Sequence, residues 1–155
     1  MKVDYFCLFF ALIGISFAVP IDVEIQGGCE YGWSWAPVRQ QCVRVQDTHL
    51  TQFVAEVDCQ QYGAHLASIT SAFEETEIMS ITKDVGHCTY YWIGAKKIGT
   101  GPYVWTDGKP FSYSNFGPGP DSNPAFDCVD FQQYSTNWHT YDCNQKNCFV
   151  CAKPL

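Results

Sequence analysis

The sequence predicts a small, exported, disulfide-rich α+β domain, and three observations carry that expectation. The chain opens on a signal-like segment, its cysteines form an even set once that segment is removed, and helical periodicity in the first half gives way to short strands in the second. Lys2 precedes an apolar stretch from Tyr5 to Phe17, and Ser16 and Ala18 are small residues where a signal peptidase reads a cut after Ala18. A membrane anchor would need about 20 apolar residues, and Pro20, Asp22 and Glu24 end the run first. Residues 1–18 therefore read as a signal peptide, 19–28 as a polar lead and 29–155 as one domain with no later membrane span.

Cys7 would leave with the signal, so the nine cysteines become eight, and an even set in an exported chain implies disulfides. A chain this short buries only a modest core, which such bridges reinforce. The net charge is −7, which argues against nucleic acid and anionic membranes as partners.

The elements follow in order. Cys29 to Trp33, a turn through Pro37 and Cys42 to Val45 read as a hairpin within 27–45. From Thr51 the period becomes helical, with Ala55, Cys59 and Tyr62 on one face and Gly63 placed to end the helix. Ser71-Ala72-Phe73-Glu74 is a capping box, which starts a second helix running to about Lys83 with Ile78 and Ile81 inward. Short aromatic and β-branched runs at 90–95, 103–105, 128–131, 136–139 and 148–152 read as strands. Between Asp107 and Pro124 no period survives among Gly, Pro, Ser, Asn and Asp, and a loop that long in a compact domain is usually functional.

These residues carry a family pattern. Cys29-x-x-Gly32-Trp33 closed by Cys42, then Gly63-Ala64-His65-Leu66-Ala67-Ser68-Ile69 with Ser71-x-x-Glu74, fall in sequence with Trp92-Ile93-Gly94-Ala95. Trp105-Thr106-Asp107-Gly108, Tyr113-Ser114-Asn115-Phe116 and Phe149-Val150-Cys151 complete the order. The chain resembles the long form of the C-type lectin-like domain from Cys29 to Cys151. That resemblance implies two helices flanking two small antiparallel β-sheets, with the long loop projecting from one end. Eight cysteines allow about a hundred pairings. The resemblance implies Cys29–Cys42, Cys59–Cys151 and Cys128–Cys143, which leaves Cys88–Cys148. A competing zinc chemistry through Cys148-x-x-Cys151 with His87 and Cys88 is disfavoured because exported thiols oxidise.

Sugar-binding members of the family hold Ca2+ in the long loop, where a hard cation takes about six to eight oxygen ligands. The first ligand motif aligns with Gly119-Pro120-Asp121, where the first ligand is a glycine. The second, Trp-Asn-Asp, aligns with Trp138-His139-Thr140, and a further acidic position falls on Phe126. Asp121 alone survives there. At the auxiliary calcium site Lys97 and Ser122 stand where acids would be, and only Asp127 is retained. No metal or other cofactor is therefore expected, the alternative being a non-standard Ca2+ site regrouping Asp121, Asp127, Asp130, Asp142 and Asn123.

The long loop still carries Phe111, Tyr113, Phe116 and Phe126, and aromatic faces stack on sugars or seat protein interfaces. Tyr113 and Phe116 are expected to pack the loop onto the domain, with Phe126 more open. The candidate ligand-binding residues are Asp121, Asn123, Phe126 and His139. His49, His65, His87 and His139 belong to no catalytic spacing, no Gly-x-Ser-x-Gly occurs, and no enzyme is expected. No Asn-x-Ser/Thr acceptor is present either. The resemblance implies extracellular recognition of a glycan or protein, with host defence as its commonest role. The alternatives are a Ca2+-dependent lectin with a non-standard site and a structural secreted protein on the same fold.

Overall fold

The computed structural model describes residues 28–117, 126–135 and 137–155. The signal-like segment, most of the polar lead, and Asp121 and Asn123 lie outside the described residues. The element order is β1 (Ser34–Ala36), β2 (Gln41–Leu50), α1 (Gln52–Gln61), β3 (His65–Leu66), α2 (Ala72–Val85), β4 (Tyr90–Lys97), β5 (Tyr103–Trp105), β6 (Cys128–Gln132), β7 (Trp138–Tyr141) and β8 (Asn147–Pro154). An α+β fold with two helices is thus observed.

The strands join into one eight-stranded sheet with the path β1-β2-β8-β4-β6-β7, with β3 added on β8 and β5 on β4. Every described pair is antiparallel except β4 with β8, where Tyr91 and Trp92 run parallel to Cys148 and Phe149. That short parallel seam links a chain-terminal sheet, β1-β2-β8-β3, to a loop-side sheet, β5-β4-β6-β7. The two sheets implied by the resemblance are therefore hydrogen-bonded to each other.

Local chemistry accounts for the element ends. Thr51 accepts from the Val54 N–H and Ser71 from the Glu74 N–H, so both helices start on side-chain caps. Gly63, at φ +66°, adopts the left-handed backbone that ends α1. Tyr62, expected on the buried face of α1, is instead its cap residue and lies edge-on to Trp33, with the Arg44 guanidinium 4.5 Å over its ring. The segment from Cys29 to Trp33 is not a strand. Gly32 at φ +81° and the Trp33 N–H to Glu30 carbonyl bond fold it into a turn, and the first strand begins at Ser34. β7 also starts later than residue 136 and runs through Tyr141.

Alternation along β4 divides the core. Tyr91 and Ile93 join Ile78, Met79 and Phe131 beneath α2, while Trp92 packs with Ala55, Leu66 and Phe149 beneath α1. Gly94 is needed where β4 passes β3, because a Cβ there would meet the Leu66 carbonyl oxygen at 2.7 Å. Four disulfides brace the layers: Cys29–Cys42, Cys59–Cys151, Cys88–Cys148 and Cys128–Cys143. Cys59–Cys151 closes 92 residues and ties α1 to β8, which in the chain-entropy account stabilises the fold by about 4–5 kcal/mol.

Candidate functional site

The face carrying the long loop is built around Trp138, the first residue of β7 and fully buried. Trp105, Tyr113 and Phe116 present their rings to it edge-on, with centroids at 5.7, 5.7 and 5.6 Å. Phe111 stacks between Tyr103 and Trp105. Tyr113 and Phe116 thus pack the loop onto the domain, as expected of them, and Phe111 does so too.

Beneath these rings one carboxylate gathers the loop. Glu75 of α2 accepts from the Tyr113 hydroxyl at 2.7 Å, from Asn115 Nδ2 at 3.1 and 3.0 Å, and from Trp138 Nε1 at 2.7 Å. Burial, and secondarily the bond to Glu75, push the Tyr113 phenol up to about 12. Sequence reasoning missed Glu75, although a signal was present. It occupies, with Ile78, Met79 and Thr82, the buried stripe of α2, and an acid in a helix's apolar stripe must find donors.

The described residues at the positions aligned with the family's calcium ligands make other contacts. His139 faces Asp130 across β6–β7, with Nδ1 3.3 Å from Asp130 Oδ1, and its side chain is only 12% exposed. Asp130 is fully buried and accepts from Asn147 Nδ2 at 2.7 Å. Thr140 is buried within β7. Phe126 is half-buried and stacks on Tyr141 at 6.4 Å, while its carbonyl accepts from the Tyr103 hydroxyl at 3.2 Å. Lys97 places its ammonium 4.8 Å over the Tyr103 ring, and its N–H donates to the Asp127 carbonyl at 2.8 Å. Lys97 thus pairs with Asp127 through the backbone and turns its ammonium onto an aromatic ring, at a position where the auxiliary ion would need an acid.

Of the carboxylates in the alternative non-standard site, the described Asp130 and Asp142 are engaged separately. Asp130 is held inside β6–β7, while Asp142 accepts from the Asn144 N–H and side-chain amide in a turn. Cys148 and Cys151 enter different bridges, so the Cys-x-x-Cys pair supplies no thiolate to zinc. His49 does approach Cys88 and Cys148, but those two sulfurs are bonded to each other.

The architecture defines a disulfide-braced α+β domain with two helices, in which the described part of the long loop, residues 107–117, packs against Trp138 and Glu75. The chain belongs to the C-type lectin domain family, whose model it matches over residues 48–153. It is similar to lymphocyte antigen 75 of Homo sapiens, 30% identical over 87% of this chain and 8% of that protein. It is also similar to the type-2 ice-structuring protein of Hemitripterus americanus, 28% identical over 87% of this chain and 80% of that one. Among solved structures, a calcium-independent type II antifreeze protein superposes with a TM-score of 0.71 at 29% identity, covering 81% of this chain and 94% of that one. Human lithostathine shares the fold, with a TM-score of 0.76 at 23% identity over 92% of this chain and 100% of that one. No helix among the described residues is long and apolar enough to cross a membrane.

Proposed function

We propose that this chain is a secreted recognition domain that binds an extracellular glycan or protein without calcium at the family's usual positions. One observation carries the reading. The described side chains at the aligned ligand positions are engaged with the protein itself: His139 with Asp130, Thr140 buried in β7 and Phe126 on Tyr141. A cation needing about six to eight oxygens would have to displace these contacts and gain little, since a phenylalanine and an imidazole offer no oxygen. Secretion is supported by the signal-like lead and by four disulfides, which persist in oxidising compartments. Asp121, Asn123, Phe126 and His139 remain the candidate contacts to a ligand.

A glycan array probed in Ca2+ and again in chelator tests the reading, alongside melting curves at about 1–5 mM Ca2+ with and without EDTA. Chelator-insensitive binding and superposable melts are expected. A Ca2+-induced rise in Tm that Asp121→Ala removes would establish a metal-dependent lectin instead.

Similarity to an ice-structuring protein and to a calcium-independent antifreeze protein favours a second reading, in which the ligand is an ice surface. Thermal hysteresis of the purified protein decides between them. A freezing-point gap that grows with protein concentration, with no array binding, would replace the first reading with the second.

A further inference from the structure

A cleft of about 570 Å³ lies between α1 and the β4–β5 hairpin, with Trp105 and the Cys128–Cys143 disulfide in its wall. Such a volume is in the range of small-ligand sites. Its rim is apolar and unusually open for side chains of this kind. Phe53 is 74% exposed, Ile98 70% and Val57 40%.

The floor contains a buried acceptor with no donor. Gln52 is 3% exposed, and its Nε2 donates to the carbonyls of Ile93 and Ala95, both at 2.9 Å. Those two acceptors fix which end of the amide is nitrogen, since the reverse orientation would set oxygen against two oxygens. Oε1 therefore lies on the other side of the amide, 2.9 Å from Cys128 Sγ, and both residues line the cleft. That sulfur is in a disulfide and carries no hydrogen, so it satisfies nothing. A buried carbonyl oxygen without a donor is uncommon and costly.

The charged groups of the cleft restrict what would complete it. Glu56 already accepts from His65, from the Leu66 N–H and from Gln60, and these bonds overcome burial to hold its pKa below the ordinary value, so it is ionised at neutral pH. Lys96 lines the same space. A carboxylate ligand would meet Glu56 and leave Gln52 Oε1 unsatisfied, and an amine would meet the Lys96 ammonium. A neutral amide meets neither difficulty. Its N–H supplies the donor that Gln52 lacks, and an apolar side chain beside it fills the space among Phe53, Val57 and Ile98.

We propose that this cleft seats an apolar residue of a peptide segment from a partner protein, its backbone amide donating to Gln52 Oε1. The site stands independently of the ligand at the long loop. Its test is titration of the isotope-labelled, disulfide-intact protein with N-acetyl-leucinamide, followed by backbone amide NMR. N-acetylglycinamide, which keeps the amides without the apolar side chain, and N-acetylglucosamine serve as comparison probes.

Saturable shifts at Phe53, Val57, Lys96 and Ile98 with N-acetyl-leucinamide are expected, with N-acetylglycinamide at least about fivefold weaker, the order of one buried leucine side chain diluted by an open rim. The exposed-site variants Val57→Ser and Ile98→Ser, checked for an unchanged Tm, should each weaken the leucinamide shifts. Absence of saturable shifts would show a cleft satisfied by water and overturn the proposal. Equal binding of both amides, or N-acetylglucosamine moving the same signals more strongly, would overturn it as well, the latter by making the cleft a sugar site.

Discussion

Glu75→Ala tests whether a single carboxylate fastens the long loop to the domain. The substitution removes the shared acceptor of Tyr113, Asn115 and Trp138. Hydrogen bonds to charged groups contribute about 1.5–3 kcal/mol each, but three donors on one carboxylate couple and do not add. The heaviest share falls on Trp138, which is fully buried. Its indole N–H loses its acceptor without gaining water, at about 1–3 kcal/mol by itself. A total destabilisation of about 3–5 kcal/mol follows.

For a domain of this size each kcal/mol moves the midpoint by roughly 3–5 °C, so the Tm should fall about 10–20 °C. Urea unfolding with disulfides intact, followed by tryptophan fluorescence, measures the free energy directly. Tyr113→Phe leaves the carboxylate two partners and should cost only about 1–2 kcal/mol. The phenol supplies a second readout. In the folded protein burial and Glu75 push it up to about 12 from the ordinary 10.0 of a phenol, so the stability it contributes is complete below pH 10 and is lost as pH rises toward 12. Glu75→Ala should bring that titration back down. A loss under about 1 kcal/mol, or equal losses for Glu75→Ala and Tyr113→Phe, would mean that ring packing alone holds the loop.

Three further outcomes are expected. The Glu56 carboxyl titrates below its ordinary 4.5 because the Leu66 N–H, His65 and Gln60 bonds outweigh burial; its contribution is present above that value and lost as pH falls through the folded pKa, and His65→Ala should move the acid unfolding limb to higher pH in a urea-midpoint series. Trp92→Ala, at a fully buried ring whose Nε1 donates to the Leu50 carbonyl, should cost about 3–5 kcal/mol and abolish secretion, whereas half-buried Phe126→Ala should be secreted normally; equal yields by immunoblot would contradict the assignment. Peptide mapping under non-reducing conditions should recover Cys88 linked to Cys148, joining the start of β4 to β8, and a free thiol at either would refute that bridge.

Much of this fold is legible in the chain because its signals are local. Thr51 and Ser71 cap their helices through hydroxyls that reach only three residues onward, Gly63 ends α1 by its own backbone freedom, and the aromatic runs of β4 and β5 sit where their composition places them. The pairing of Cys59 with Cys151 was readable only through the family resemblance, since spacing leaves many connectivities open. Strand β3 was not legible. Two residues cannot show a period, and His65 and Leu66 become a strand because β8 offers them partners.

The candidate site divides in the same way. The expectation that calcium ligands are missing rests on residue identity alone, on Phe126, His139 and Thr140 at the positions that the resemblance aligns. What those residues do instead depends on neighbours distant along the chain or on another strand: Asp130 for His139, Tyr141 for Phe126, and Glu75 for a loop some 40 residues away. The unmet acceptor of Gln52 is the furthest from sequence, because it exists only where α1, the β4 carbonyls and a disulfide meet. Residue identity and short-range hydrogen bonding are properties of the chain; satisfaction of buried polar groups is a property of the assembled core, where water is absent and each group must take the partner that packing brings it.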